Sequence, residues 1–158
     1  MTAARHRFVF RSVWRLSAPP EAVYEVLERA GEYPRWWPQV REVRALEESS
    51  GSARIRSVLP LDLRITGRAA RRDPAAGVLE MEITGDMEGW ARWTVTGDGA
   101  GGGRGAVAVY EQRVVVRRAL LRRLALPARP LFRANHAAMM CAGRRGLERW
   151  LARGLDDD

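Results

Sequence analysis

Residues 130–153 read PLFRANHAAMMCAGRRGLERWLAR, and this is the one long stretch with helical periodicity. Stepping about 100° per residue from Leu131 places Leu131, Phe132, Asn135, His136, Met139, Met140, Ala142, Gly143, Gly146, Leu147 and Trp150 on one half of a wheel. Arg133, Ala137, Arg144, Arg145 and Glu148 fall on the other half. The apolar half demands burial, and everything upstream reads as a sheet built to wrap it. Two polar side chains lie inside that half. Asn135 is the only Asn of the chain, and His136 is the only His outside the N-terminal tail. A buried polar group without a partner costs about 1–3 kcal/mol, so each needs protein, water or ligand to bond to. Gly143 and Gly146 share the apolar half and cost a helix about 1 kcal/mol each relative to Ala. Their presence implies a close approach there, by strands or by a ligand.

Upstream, residues 8–16 alternate, with Phe8, Phe10, Trp14 and Leu16 on one face and Arg7, Arg11 and Arg15 on the other. That is a strand with one buried face. Ser17, Pro19, Pro20 and Glu21 read as a helix start with Ser17 as the cap. Val23, Val26, Leu27 and Ala30 then form the stripe of a short helix ending near Gly31. Residues 32–38, EYPRWWP, are an aromatic, proline-punctuated turn. Strands follow at residues 40–47, 53–59, 61–71, 78–84, 89–96 and 106–116, with Pro60 dividing the second from the third. Alternation points Ala91, Trp93 and Val95 to one side, opposite Trp90, Arg92 and Thr94. On the last strand Tyr110, Gln112, Val114 and Val116 share the inward face. Glu80, Glu82 and Arg92 belong to the solvated face. The glycine-rich run 97–103 is a hairpin loop; it lacks the GK[ST] ending and following helix of a phosphate loop. Strands in succession closed by one long helix give an α+β fold. The expected architecture is a curved antiparallel sheet of six to seven strands gripping the C-terminal helix, with one or two short helices after the first strand.

A chain of 158 residues is one domain by default, here drawn at residues 5–153 with an acidic tail at 154–158. All 27 basic residues are Arg, which excludes Schiff-base chemistry by lysine. The net charge of +8 is spread over alternating strand positions, as a solvated sheet face requires, so no nucleic-acid partner is expected. Residues 1–11 carry charges where a signal peptide needs an apolar run, and no apolar run approaches a membrane span, so the expected place is the cytoplasm. Residues 117–126, RRALLRRLAL, form a basic amphipathic segment: a connector to the long helix, or a contact with an anionic membrane. The single Cys141 excludes an internal disulfide and reads as structural. Two His and one Cys do not build a metal site, and no dinucleotide fingerprint appears. No cofactor is expected.

The turn 33–40, the run 89–95 (GWARWTV) and the helix run 135–143 (NHAAMMCAG), in this order and spacing, resemble the polyketide cyclase/dehydrase branch of the START-like, helix-grip (SRPBCC) superfamily. The resemblance spans about residues 8–151. It implies a cavity between sheet and helix for an apolar or aromatic small molecule, such as a lipid, sterol, polyketide or quinone. It implies cyclisation or dehydration in some members and carriage of a ligand in others, and fold alone does not choose.

The candidate ligand-binding residues are Asn135, His136, Met139, Gln112, Tyr110, Trp93 and Trp37. Gln112 joins Asn135 and His136 as a polar patch: at least one of the two helix residues orients a ligand oxygen and the other bonds a strand backbone or Gln112, or both brace the helix against a strand. Of the pair Trp36 and Trp37, one packs under the short helix and the other lines the cavity mouth. Paired inward carboxylates are not evident, so no catalytic residue is assigned. The leading expectation is a protein that binds one small hydrophobic, aromatic or polyketide-like molecule. A lipid or quinone carrier is the first alternative, and an interaction module with a filled core is the second.

Overall fold

The computed structural model describes residues 6–56, 62–99, 104–124 and 127–156. Seven antiparallel strands run β1 (Arg7–Leu16), β2 (Val40–Glu47), β3 (Ser50–Arg56), β4 (Asp62–Asp73), β5 (Val78–Gly85), β6 (Met87–Asp98) and β7 (Gly105–Val116). Between β1 and β2 lie helix α1 (Pro20–Glu28), a 3-10 turn (Ala30–Glu32) and the single-turn helix α2 (Tyr33–Trp36). After β7 come α3 (Ala119–Leu124) and the long α4 (Arg129–Asp156). The strand order is β1-β7-β6-β5-β4-β3-β2. Only the β1–β7 pairing is non-sequential, and it brings the first strand beside the last.

The curved sheet closes on α4. Alternation correctly assigns its two faces: Phe8, Trp14, Leu16, Ala91, Trp93, Val95, Val114 and Val116 are all buried. On the outer face Arg92 pairs with Glu80 at 2.9 Å, and its guanidinium lies over the Trp90 ring. The turn before β5 is closed by Asp73, whose Oδ1 accepts the Ala76 N–H at 3.0 Å. Gly77 follows at φ 69°, where a Cβ would lie 2.1 Å from the Val95 carbonyl oxygen. Only glycine fits there.

Several expectations need correction. Leu131 is 51% exposed. The covered arc of α4 runs from about 40° (Asn135) to about 180° (Met140) on the wheel, and Leu131 at 0° falls just outside it. Cys141, near the edge of the polar half, is exposed. Ser17 is not the cap of α1; Pro19 holds that position without a side-chain bond, and Pro20 in the first turn removes one donor that would need capping. The α4 helix continues through residue 156, past the point where the tail was drawn. The turn at Pro60, the glycines at 101–103 and the last two aspartates lie outside the described residues.

Candidate functional site

Two packed clusters hold the molecule. One joins Trp14, Leu27, Trp36, Trp37, Trp93 and Leu147; the other joins Phe8, Ile83, Ala91, Val114, Val116 and Leu121. Tyr110 touches both. Between sheet and helix a cavity of about 500 Å³ remains. The strand register explains why it is not filled. One row across the sheet runs Phe10, Gln112, Ala91, Met81, Ala69. The next runs Phe8, Val114, Gly89, Ile83, Gly67, Gly51. Small side chains at the centre of a concave face cannot reach the helix, and interiors otherwise pack without gaps.

All seven candidate residues line this cavity: Trp37, Trp93, Tyr110, Gln112, Asn135, His136 and Met139. They reach it from four elements. Trp37 follows α2, Trp93 stands on β6, Tyr110 and Gln112 stand on β7, and the remaining three stand on α4. Trp93 and Tyr110 face each other in the β6–β7 register, with ring centroids 4.8 Å apart. Trp37 Nε1 donates to the Met139 carbonyl at 3.0 Å and so ties the aromatic turn to the helix.

Three of these residues form a neutral polar cluster in a mostly apolar wall, which charged residues such as Glu28, Arg29, Glu48 and Arg72 also line. The Tyr110 hydroxyl donates to Gln112 Oε1 at 2.7 Å. His136 Nε2 lies 3.4 Å from the same oxygen. With Gln112 Oε1 as shared acceptor, His136 carries its proton on Nε2. The imidazole is stacked on Phe10 at 3.9 Å between centroids, nearly parallel at 8°. Desolvation lowers its pKa to about 4, so it is neutral at pH 7. Burial pushes the Tyr110 hydroxyl up, and it stays a donor. The cluster is therefore uncharged. It can offer hydrogen bonds to an oxygen, but His136 is a poor proton acceptor near neutral pH. Among the described residues no group of three His, Cys, Asp or Glu is placed to hold a metal ion.

Sequence reasoning missed part of the wall. Phe10, Leu121, Phe132 and Met87 also line the cavity, packed with the second cluster. Phe10 had been placed on the buried face of β1, but its stacking on His136 joins residues on opposite sides of the chain. Leu121 sits in the segment read as a connector; α3 in fact turns it inward, where it is 6% exposed. The glycines of α4 do mark a close approach, but not by a strand or a ligand. A Cβ on Gly143 would lie 2.5 Å from the Trp37 ring, and one on Gly146 would lie 1.7 Å from the Trp36 carbonyl oxygen.

A seven-stranded curved sheet gripping one C-terminal helix is the helix-grip, START-like architecture. Residues 7–156 match the family described as polyketide cyclase / dehydrase and lipid transport, and the chain belongs to that family. Solved structures share the fold. The Zhui aromatase/cyclase from Streptomyces sp. R1128 superposes with a TM-score of 0.77 at 20% identity, over 95% of this chain and 96% of that chain. A START superfamily protein from Mycobacterium smegmatis gives 0.71 at 12% identity, over 92% of this chain and 97% of that one. The di-domain ARO/CYC StfQ from the steffimycin biosynthetic pathway gives 0.73 at 12% identity; the match covers 98% of this chain and 54% of that one. A search of curated proteins finds no match to this sequence.

Proposed function

We propose that this protein binds one small, mostly apolar, aromatic or polyketide-like molecule between its sheet and α4. The observation that carries the reading is the mostly apolar cavity of about 500 Å³ with the neutral Tyr110–Gln112–His136 cluster in its wall. That volume is within the range of small-molecule sites, which are apolar clefts with a few placed polar groups. Family membership and the likeness to an aromatase/cyclase support the same class of ligand. In this reading Trp93, Tyr110, Trp37 and Met139 supply apolar contact, while Gln112, His136 and Asn135 orient a ligand oxygen. Any cyclisation or dehydration would draw on desolvation and on holding the ligand in a reactive shape. His136 would contribute by holding Gln112 in place, not as a base, because its basicity is low and its one N–H is given to Gln112 Oε1.

Native mass spectrometry of freshly purified protein tests the reading, together with quenching of the Trp37 and Trp93 fluorescence by 1-naphthol and anthraquinone. A co-purifying small molecule, or saturable quenching weakened by Gln112→Leu, is the expected result. Bare protein that none of these probes saturates would favour the interaction module instead.

A further inference from the structure

The Tyr110–Gln112–His136 cluster has few hydrogens left to give. A phenol carries one, a neutral imidazole one and a primary amide two. Tyr110 spends its hydrogen on Gln112 Oε1 at 2.7 Å, and His136 Nε2 turns its own toward the same oxygen from 3.4 Å. A carbonyl oxygen has two lone pairs, so Oε1 is filled. The distance to Tyr110 tells which end of the amide stands there. O–H···O bonds cluster at about 2.7–2.8 Å, whereas N–H···O bonds cluster at about 2.9–3.0 Å. With the amide turned over, Tyr110 would accept an unusually short N–H bond, and its own buried hydrogen would lose this acceptor.

The hydrogens the cluster keeps are therefore the two on Gln112 Nε2. Gln112 is 6% exposed, yet it lines the cavity. Its Nε2 donates to no group among the described residues, and it is not sealed in protein as the partnerless indole N–H of Trp36 is. On the β1 side of Gln112 stands Phe10, with the His136 ring stacked on it. On the β6 side the register neighbour is Ala91, whose methyl is too short to cover a glutamine amide. A buried donor facing an apolar space is costly until an acceptor meets it.

We propose that Gln112 sets the chemistry of the ligand: with Tyr110 and His136 occupying its carbonyl oxygen, its amide presents N–H to the cavity and selects a molecule that brings an acceptor oxygen, a ketone or quinone carbonyl, over the matching alcohol. Such a carbonyl needs nothing else. An alcohol brings a hydrogen that must find its own acceptor in a mostly apolar wall. Tyr110 and His136 act here as positioning residues. The selection presupposes that the cavity takes a ligand, as proposed above, and narrows the class of that ligand.

The test uses the full chain and three probes of one tricyclic skeleton: fluorene, 9-fluorenone and 9-fluorenol. Affinity is read from tryptophan quenching, and the carbonyl stretch of bound fluorenone from infrared difference spectra. Fluorenone should bind about tenfold more tightly than fluorene, and more tightly than fluorenol. Its carbonyl stretch should lie below the value in hexane. Gln112→Met keeps the length of the side chain and removes the amide. Fluorenone should then fall to the affinity of fluorene and its stretch should rise back, while fluorene binds as before. His136→Phe retains Gln112 and frees one lone pair of Oε1, so the margin of ketone over hydrocarbon should shrink. Circular dichroism checks that both variants fold, and the parent's own probe series decides the proposal without them. Fluorenol binding more tightly than fluorenone overturns it, since the amide would then present its oxygen. Equal binding of all three, or an unshifted carbonyl stretch, overturns it as well and leaves the cavity reading standing. If none of the three saturates the protein, the ligand reading falls and the selection falls with it.

Discussion

His136 is held where its charged form has nothing to meet. Phe10 covers one ring face at 3.9 Å, Tyr110 lies 6.0 Å away, and its polar neighbour is the neutral amide of Gln112. Burial alone lowers its pKa from 6.5 to about 4. The unfolded chain therefore takes up a proton that the folded chain refuses as pH falls through the window from about 6.5 to about 4. This histidine's contribution to stability is full above that window and is lost on going down through it, by about 3 kcal/mol at most. His136→Phe keeps an aromatic ring against Phe10 and removes the titration. Urea unfolding of both proteins at about pH 7 and about pH 4.5 should show the parent losing more stability than the variant. Equal losses would mean that His136 is charged, or solvated, in the folded state. The position was legible in the sequence because helical phase put an isolated His in the covered arc. Its polar partner was legible too, since alternation turns Gln112 inward to meet it; the stacking on Phe10 was not, because Phe10 lies far away in the chain and comes beside Gln112 through the β1–β7 pairing.

At the scale of elements, α4 is fixed by what its glycines admit. Replacing Gly by Ala inside a helix ordinarily gains about 1 kcal/mol. At Gly143 and Gly146 the sign should reverse, because the added carbon would enter the Trp37 ring and the Trp36 backbone. Gly146→Ala meets backbone, which cannot give way cheaply, and should cost at least about 2 kcal/mol. Gly154→Ala in the same helix meets nothing within 4 Å and should be neutral or stabilising. Denaturant midpoints of the three variants provide the check; a stabilising Gly146→Ala would mean that the Trp36–Trp37 turn does not lie on the helix. The strands were legible because a period of two is simple and one face is buried. Their ends shifted by a few residues, as with β6 at Met87–Asp98 against the expected 89–96. The identity of the element covering the glycines was not legible, since Trp37 and Met139 are 102 residues apart. The inward turn of Leu121 was hidden for a related reason: α3 has 6 residues, too few for a periodic pattern to declare a face.

At the scale of the whole molecule, the cavity exists because large side chains gather at the two ends of the sheet and small ones in the middle. Trp14, Trp36, Trp37 and Leu147 pack one end, while Phe8, Val114, Val116 and Leu121 pack the other. Ala69, Gly67 and Gly51 line the cavity, and so does Ala91, at the edge of the second cluster. The inward direction of Ala91 could be read from alternation, but the empty space could not. A gap is a property of facing surfaces, and it needs the register of five strands against the phase of α4. If these small residues serve the cavity and not the packing, enlarging one should remove binding and spare the fold. Ala91 is the most telling choice, because it lies on β6 between Met81 and Gln112 in the register and is 4% exposed. In a filled core, Ala91→Leu would overpack and cost about 1–3 kcal/mol. Here the added carbons extend into open space beside the polar cluster, so the thermal midpoint should hold or rise. Any co-purifying molecule should disappear from the native mass spectrum, and quenching by 1-naphthol should weaken at least about tenfold. A variant that unfolds early would mean that the wall around Ala91 is already closed, whereas one that binds as the parent does would move the ligand away from this part of the sheet.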